Sequence, residues 1–164
     1  METNQSKKIL LSESTFLDIV KGLAKKIRES EEYSVSTLKY IVAPSRGGLI
    51  PAVHLSHLLN LPLIVLEKHE LTSLKSKVEF RYSLDNDEAE QFENIKIILV
   101  EDISDTGKTF QTMLSGLNST KNVITASLVC RGTTSFSPDF FGNYYIGNSW
   151  VVFPWEHKPI INKK

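Results

Sequence analysis

The sequence predicts an α/β domain in which helices flank a mainly parallel central β-sheet. Apolar segments rich in β-branched residues alternate along the chain with segments in which apolar residues recur at helical spacing. The chemically unusual residues follow the apolar segments, where the predicted strands end. Because open α/β sheets bind ligands at the carboxyl ends of their strands, we expect a binding site along that edge of the sheet.

The first half of the chain contains two predicted helices and two predicted strands. Apolar residues recur at helical spacing over residues 10–30. A buried helix is predicted over residues 49–59, where Pro51 falls in the first turn and its missing N–H is not needed. Strands are predicted over residues 38–44 and 62–66.

The second half begins with the most apolar strand of the chain. Residues 95–100 are broken only by Lys96, which is typical of a strand buried on both faces of a parallel sheet. A turn over residues 101–106 and a helix over about residues 107–117 are predicted to follow. Further strands are predicted over residues 122–129, 144–146 and 150–153.

Length, charge and cysteine content restrict the class of protein. The 164 residues suit one domain, residues 1–164. Nineteen basic and 19 acidic side chains leave no net charge, so we expect no nucleic-acid or membrane partner. The single cysteine, Cys130, fits a reducing compartment, and no apolar run approaches the roughly 20 residues that span a bilayer. The sequence therefore predicts a cytoplasmic protein.

Two adjacent acids, Glu101 and Asp102, stand at the end of the buried strand. In a partly buried site they would repel each other unless a cation or ligand hydroxyl groups compensate. A hydrated Mg²⁺ ion and the hydroxyls of a ribose are suitable partners, because Mg²⁺ prefers a few carboxylates together with substrate oxygens. We therefore expect a magnesium and sugar site here.

The segment after the acids has the features of an anion site. Residues 105–109 form a tight turn that opens a helix, where backbone N–H groups are free and the helix dipole favours negative charge. Thr106 and Thr109 add hydroxyl donors, and Gly107 lets the backbone approach a phosphate closely. Several charge-assisted hydrogen bonds of about 1.5–3 kcal/mol each can hold a phosphate without surplus basic charge.

Three other interpretations of this segment are weaker. A P-loop requires a glycine five residues before Gly107, where Asp102 stands. A receiver domain carries its acidic pair on the first strand, whereas this pair lies past mid-chain. A solvated acidic turn before an ordinary capped helix would suit a lone acidic pair, but not one followed directly by an anion-binding turn.

Residues 97–109 resemble the phosphoribosyl-pyrophosphate signature of type I phosphoribosyltransferases. The shared pattern is four apolar residues, two acids, a two-residue spacer and then Asp-Thr-Gly-x-Thr. The resemblance implies that Glu101 and Asp102 face the ribose hydroxyls and magnesium. It implies that the 5′-phosphate is bound by Asp105, Thr106, Gly107, Lys108 and Thr109. Asp105 would lie beneath the reacting purine nitrogen, as a general base or as an electrostatic stabiliser of an oxocarbenium-like transition state.

An earlier loop resembles the pyrophosphate loop of the xanthine/hypoxanthine-guanine branch of that family. Its residues are Ser45, Arg46, Gly47 and Gly48. The two glycines expose backbone N–H groups to a diphosphate, and the arginine fork can bind its oxygens in bidentate fashion. The resemblance implies a cis peptide between Ser45 and Arg46. A plain strand-to-helix turn with an exposed arginine is the alternative interpretation.

The C-terminal third, residues 131–158, resembles the purine-recognition tail of the same branch. By that resemblance Trp150 stacks on the purine and the Val151 carbonyl meets the ring edge near position 2. Arg131 stands where most relatives have lysine, and would donate to the exocyclic oxygen at position 6. An arginine on a solvated loop is the alternative. Glu156 is a candidate for a second magnesium through water, or for a pair with Lys158.

The remaining polar and aromatic residues have less specific interpretations. Residues 68–93 form the least regular stretch and lie where the family has a mobile loop that closes over the site. Lys75, Lys77 and Arg81 are candidates for pyrophosphate contacts there, although a solvated face is favoured. Phe153 and Trp155 are assigned to core or dimer packing, Cys130 to a buried strand end, and the four histidines to no site.

These features together predict a single-domain enzyme of purine salvage. Its substrates would be phosphoribosyl pyrophosphate and a 6-oxopurine (hypoxanthine, guanine or xanthine), its cofactor Mg²⁺, and its assembly a homodimer or homotetramer by analogy with the family. Two alternatives stay open. The first is a phosphoribosyltransferase for adenine or a pyrimidine. The second is a regulatory protein that senses phosphoribosyl pyrophosphate without catalysis.

Overall fold

The structure is a computed structural model that describes residues 8–30, 37–66, 68–72, 78–82, 95–117, 120–147 and 149–156, with the backbone alone for residues 68–72 and 78–82. In chain order the elements are β1 (Lys8–Leu10), α1 (Glu13–Glu29), β2 (Leu38–Pro44), α2 (Leu49–Leu59), β3 (Leu63–Leu66), β4 (Lys68–Thr72), β5 (Val78–Tyr82), β6 (Lys96–Ser104), α3 (Lys108–Ser115), β7 (Val123–Arg131), β8 (Phe140–Tyr145) and β9 (Trp150–Val152). The predicted α/β architecture is confirmed.

Five parallel strands form the central sheet in the order β3-β2-β6-β7-β8. From β2 the chain moves outward to β3 on one side, and from β6 it moves outward to β7 and β8 on the other. The strand order therefore reverses between β2 and β6. Ligands of open α/β sheets bind in the crevice at such a reversal, at the carboxyl ends of the strands. The loops after β2 and β6 border this crevice.

The central strand β6 is buried on both faces, as its apolar sequence predicts. Ile98 and Val100 belong to the apolar cluster that includes the inner faces of α1 and α2. Ile97 and Leu99 belong to a second cluster, in which Phe110 and Met113 of α3 take part. Side chains of a strand point alternately to opposite faces, so two helices cover one side of the sheet and α3 covers the other.

The helices begin where their sequences supply start signals. The side chain of Ser12 caps α1 by accepting a hydrogen bond from the Thr15 N–H at 3.1 Å. Pro51 lies in the first turn of α2, where the absence of an N–H removes no helical bond. In the part of the chain that the structure describes, no helix combines the length and apolarity needed to cross a bilayer.

Three sequence predictions need correction, and one strand was missed. The turn predicted over residues 101–106 is shorter, because β6 continues to Ser104 through parallel pairing with β7. Strand β1 was not predicted; it pairs in parallel with β9. The stretch over residues 68–93, predicted to be irregular, contains the antiparallel pair β4 and β5. The short strand predicted over residues 144–146 is the longer β8, an outer strand of the central sheet.

Candidate active site

The loop after β2, which we call the arginine loop (residues 45–48), lies directly against the acidic pair. A Cβ atom placed on Gly47 would be 2.8 Å from both the Asp102 Oδ2 and the Glu101 Oε1 atoms. A larger residue at position 47 would displace the ends of both carboxylate side chains, so glycine permits this approach without a shift. The Ser45–Arg46 peptide is cis, which confirms that prediction, and the Arg46 side chain is exposed. Two motifs 53 positions apart, at Gly48 and Glu101, thus meet across the crevice.

The acidic pair is held at the end of β6 in a poorly hydrated position. Glu101 is buried, and its Oε1 atom accepts a hydrogen bond from the Asp102 N–H at 3.1 Å. Burial raises the pKa of the Asp102 carboxyl above its ordinary value of 3.8, the hydrogen bond to Glu101 opposes this, and the negative charge of Glu156 adds to the rise. A cation bound here would offset both the burial and the repulsion.

The Asp-Thr-Gly turn (residues 105–107) leads from β6 into α3. Gly107 adopts φ +80°, a left-handed conformation that favours glycine, and it precedes the first residue of α3 without a side-chain cap. The Lys108 N–H donates only a long bond, 3.4 Å, to the Thr106 hydroxyl. The N-terminus of α3 therefore presents backbone N–H groups and the positive end of a helix dipole beside the acidic pair.

A loop that the sequence analysis did not single out supports this turn from behind. Residues 134–136 follow β7 at a short distance, and both the Ser135 N–H and the Ser135 hydroxyl donate to the Thr106 carbonyl, at 3.4 and 2.8 Å. A Cβ atom on Gly107 would be 2.5 Å from the Phe136 Cβ atom. The four hydroxyl residues among positions 133–137 were the available sequence signal, because such residues often bond to nearby backbone groups.

Arg131 joins the turn to the C-terminal tail. Ser104 pairs with Cys130 in the β6–β7 register, so the next residues, Asp105 and Arg131, emerge side by side. The Arg131 Nε atom lies 3.3 Å from the Asp105 Oδ1 atom. Its Nη1 and Nη2 atoms donate to the carbonyls of Ser149 and Gly147, each at 2.6 Å. Arg131 is 6% exposed, so the interpretation of an arginine on a solvated loop is wrong.

The tail places one aromatic ring at the surface and buries the residue that follows it. Trp150 is 53% exposed, whereas Val151 is 4% exposed and packs into the core. Pairing with β1 holds this segment, with Lys8 opposite Trp150 and Ile9 opposite Val151. The Ser149 carbonyl held by Arg131 directly precedes Trp150. Asp105 and the exposed Trp150 are therefore linked through one buried guanidinium group.

Glu156 lies near the acidic pair, as its effect on the pKa of Asp102 indicates. Its Oε2 atom accepts a hydrogen bond from the Phe153 N–H at 2.9 Å. Among the residues that the structure describes, no three His, Cys, Asp or Glu side chains are grouped closely enough to bind a metal ion by themselves. Two carboxylates supplemented by substrate oxygens fit the usual coordination of Mg²⁺. Lys158, the other partner considered for Glu156, lies outside the described residues.

Several residues have structural roles. Phe153 is buried in the core, and Trp155 stacks on its ring at 4.8 Å between centroids. His54 packs edge-on against Phe16 at 4.9 Å. Cys130 is buried, and burial raises the pKa of its thiol, which keeps it neutral and unreactive. The side chains considered for pyrophosphate contacts at Lys75, Lys77 and Arg81 are outside the described part of the chain, as is closure of residues 68–93.

Most of the chain matches one known protein family. Residues 6–158 match the phosphoribosyl transferase domain. The chain is similar to the crystal structure of a purine phosphoribosyltransferase from Pyrococcus horikoshii, with 31% identity, a TM-score of 0.70 and coverage of 95% of this chain and 99% of that one. A xanthine-guanine-hypoxanthine phosphoribosyltransferase from Helicobacter pylori shares the fold at 19% identity, with a TM-score of 0.69 and coverage of 93% and 94%.

A curated relative is named for a different base. An orotate phosphoribosyltransferase from Bartonella henselae is 28% identical over 113 residues, which are 69% of this chain. The matched region is 52% of that relative, so the chain spans about half of its length.

Proposed function

Because this chain belongs to the phosphoribosyl transferase domain family, we propose that it transfers the 5-phosphoribosyl group of phosphoribosyl pyrophosphate to a 6-oxopurine. Hypoxanthine, guanine and xanthine are the candidate bases, and pyrophosphate is the leaving group. The observation that carries the proposal is the close approach of Gly47 to both carboxylates. A Cβ atom at this position would lie 2.8 Å from an oxygen of each. This approach brings the arginine-bearing loop against the acidic pair.

Each part of the crevice suits one part of the sugar diphosphate. The N–H groups at the start of α3, with the hydroxyls of Thr106 and Thr109 and with Lys108, would bind the 5′-phosphate. Glu101 and Asp102 would accept hydrogen bonds from the ribose hydroxyls. The arginine loop would bind the pyrophosphate through its backbone N–H groups and the exposed Arg46 fork. These assignments place the anomeric carbon between the two loops.

Magnesium is the cation that this donor set fits best. Glu101 and Asp102 would hold it together with oxygens of the substrate, and Glu156 would act through water. When bound, the ion supplies positive charge that stabilises the departing pyrophosphate. The raised pKa of Asp102 supports a cation at this place, since burial and the charge of Glu156 leave its carboxylate under-compensated.

In the proposed reaction the bond from the anomeric carbon to pyrophosphate breaks, and a bond from that carbon to a purine nitrogen forms. Positive charge develops on the ribose as pyrophosphate departs. Asp105 would stabilise that charge or take the proton lost by the base nitrogen. The Arg131 Nε atom lies 3.3 Å from the Asp105 Oδ1 atom, so a positive charge already attracts this carboxylate before a substrate binds.

Arg131, Trp150 and Val151 would recognise the base. Trp150 is exposed enough for a purine to stack on its ring, and the Val151 carbonyl would meet the ring edge. Each terminal nitrogen of Arg131 carries two protons, and its hydrogen bond to a backbone carbonyl uses one of them. A remaining proton would donate to an oxygen at position 6. The amino group of adenine cannot accept that bond, so this arrangement would select 6-oxopurines.

The deciding experiment is a base panel. Purified protein is supplied with phosphoribosyl pyrophosphate, Mg²⁺ and one of hypoxanthine, guanine, xanthine, adenine or orotate, and pyrophosphate release and nucleotide formation are measured. We expect turnover with at least one 6-oxopurine and none with orotate. Turnover of adenine or orotate alone would contradict the base assignment.

The same panel tests the non-catalytic alternative. A sensor would bind phosphoribosyl pyrophosphate in calorimetry and release no pyrophosphate with any base. The exposed Trp150 beside the Arg131–Asp105 pair favours the enzyme, because a sensor of the sugar diphosphate needs no stacking surface for a base. A homodimer or homotetramer and a cytoplasmic location remain predictions.

A further inference from the structure

We propose that Ser135 is a positioning residue that orients the backbone N–H of Gly107 toward the 5′-phosphate. The inference rests on the proposed function, which places that phosphate at the N-terminus of α3. It concerns the loop of residues 134–136, which lies behind the Asp-Thr-Gly turn. Ser135 would contact no substrate and would act through the peptide that it holds.

The hydroxyl of Ser135 has one available direction for its proton. Gln111 on α3 donates from Nε2 to the Ser135 Oγ atom at 3.2 Å, so that oxygen acts as an acceptor on one side. On the other side the hydroxyl donates to the Thr106 carbonyl at 2.8 Å, and the Ser135 N–H donates to the same carbonyl at 3.4 Å. Two donors from one residue therefore hold the Thr106 oxygen.

Because the peptide group is planar, fixing the Thr106 carbonyl also fixes the direction of the Gly107 N–H bond. The peptide between Thr106 and Gly107 is trans, so its C=O and N–H bonds point in opposite directions. Because the Thr106 carbonyl points at Ser135, the Gly107 N–H points to the far side of the turn. We place the 5′-phosphate on that side, at the N-terminus of α3. Loss of the bond would remove the constraint that Ser135 places on this peptide.

The loop that carries Ser135 is itself fixed. The hydroxyl of Ser104, which is 1% exposed, donates to the Phe136 carbonyl at 2.7 Å and lies 2.9 Å from the Thr134 hydroxyl. The Phe136 ring stacks on that of the buried Phe110 at 5.1 Å between centroids. A support that is packed into the core can hold the turn in place, whereas a loose loop would move with it.

The test compares Ser135→Ala with Ser135→Thr, which keeps the hydroxyl. For Ser135→Ala we expect the KM for phosphoribosyl pyrophosphate to rise by about tenfold, as the loss of one well-placed hydrogen bond predicts. The kcat and the KM for the base should change less than about twofold, and Ser135→Thr should restore the KM to near its wild-type value. Ser115→Ala is the matched control, since its hydroxyl also donates to a backbone carbonyl of the same region, at 2.8 Å, but away from the turn.

Two inhibitors separate positioning of the phosphate from a general disturbance. Ser135→Ala should weaken inhibition by ribose 5-phosphate by the same factor as the KM. Inhibition by pyrophosphate should stay unchanged, because the proposed function assigns pyrophosphate to the arginine loop. Equal weakening for both inhibitors, or an unchanged KM, would overturn the inference. If Ser135→Ala fails to fold, Gln111→Ala is the second variant. We expect it to raise the KM for phosphoribosyl pyrophosphate by a smaller factor and to show the same difference between the two inhibitors.

Failure of the proposed function gives a different result. A wild-type protein that binds ribose 5-phosphate in calorimetry but turns over no base would contradict the proposed function alone. The effect of Ser135→Ala on that binding would still test the positioning role. A wild-type protein that binds neither ribose 5-phosphate nor phosphoribosyl pyrophosphate would overturn both.

Discussion

The two halves of the candidate site are built in different ways. The sugar-phosphate half consists of residues 45–48 and 101–109, and its shape is set by backbone: the contact of Gly47 with the acidic pair and the left-handed Gly107. The base half depends on a single side chain, since Arg131 reaches Asp105, Gly147 and Ser149 at once. We conclude that substitutions in the first half should act locally, whereas a change at Arg131 should act on catalysis, base binding and stability together.

The largest expected effect is at the residue where the halves join. Asp105→Asn keeps the shape of the side chain and removes the charge that would stabilise the ribose cation. We expect kcat to fall by about 10²–10³-fold, the usual consequence of losing one electrostatic contact to a transition state. The KM for phosphoribosyl pyrophosphate should change by less than about threefold. Steady-state kinetics check this, and equal losses in kcat and in affinity would make Asp105 a binding residue.

The base half is tested by Arg131→Ala. We expect the KM for the base to rise by about tenfold, because one charge-assisted hydrogen bond is lost, while the KM for phosphoribosyl pyrophosphate stays nearly constant. The melting temperature should also fall, since the carbonyls of Gly147 and Ser149 lose their buried partner. Arg28→Ala is the control, because Arg28 also donates to a carbonyl, that of Leu58, on the exposed side of α1. An unchanged KM for the base would show that Arg131 does not recognise it.

A smaller effect is expected at Asp102, where substitution should raise the melting temperature rather than lower it. Its folded-state pKa is raised, so the folded protein binds this proton more tightly than the unfolded chain, and the free energy of unfolding falls as pH rises from 3.8 through the folded pKa. Asp102→Asn removes the penalty, so without Mg²⁺ the variant should melt at a higher temperature than wild type at pH 8. The difference should shrink as the pH is lowered toward 4.

The exposed Asp18 on α1 supplies the control for that experiment, because Asp18→Asn removes the same charge from the surface. Asp102→Asn should also lose the Mg²⁺-dependent part of phosphoribosyl pyrophosphate binding. Melting curves from pH 4 to pH 8 measure the first effect and calorimetry the second. A lower melting temperature for Asp102→Asn at pH 8 would contradict the assignment of an under-compensated carboxylate.

The smallest effect is expected at Cys130, the neighbour of Arg131 in β7. Its thiol is buried and its pKa is raised by that burial, so it should not react with a thiol reagent until the protein unfolds. Cys130→Ala should leave kcat and both KM values within about twofold of wild type. Rapid labelling of the native protein, or a loss of activity in Cys130→Ala, would show that the base half is more open than its packing indicates.

The sugar-phosphate half was largely predictable from sequence because its information is local. Strand β2 and helix α2 have the bounds that their apolar patterns predict. The run of residues 97–109 carries its acids and its turn within one short segment. The error there was to end β6 before Glu101, since charged residues predict a turn while pairing with β7 keeps the strand extended to Ser104.

The base half was less predictable because its contacts join distant segments. The pairing of β1 with β9 connects residues more than 140 positions apart, and a three-residue strand carries too weak a pattern to be recognised alone. The ion pair of Arg131 with Asp105 follows from the register of β6 and β7, which the sequence does not specify. The support of Thr106 by Ser135 was missed for the same reason.

The most direct test of the account is a crystal structure of the protein with phosphoribosyl pyrophosphate and Mg²⁺. We expect the 5′-phosphate on the N–H groups at the start of α3, the ribose hydroxyls at Glu101 and Asp102, and the pyrophosphate on residues 45–47. The anomeric carbon should face Asp105. A sugar diphosphate bound elsewhere, or a 5′-phosphate that does not contact the Gly107 turn, would contradict the central claim that the two loops form one site.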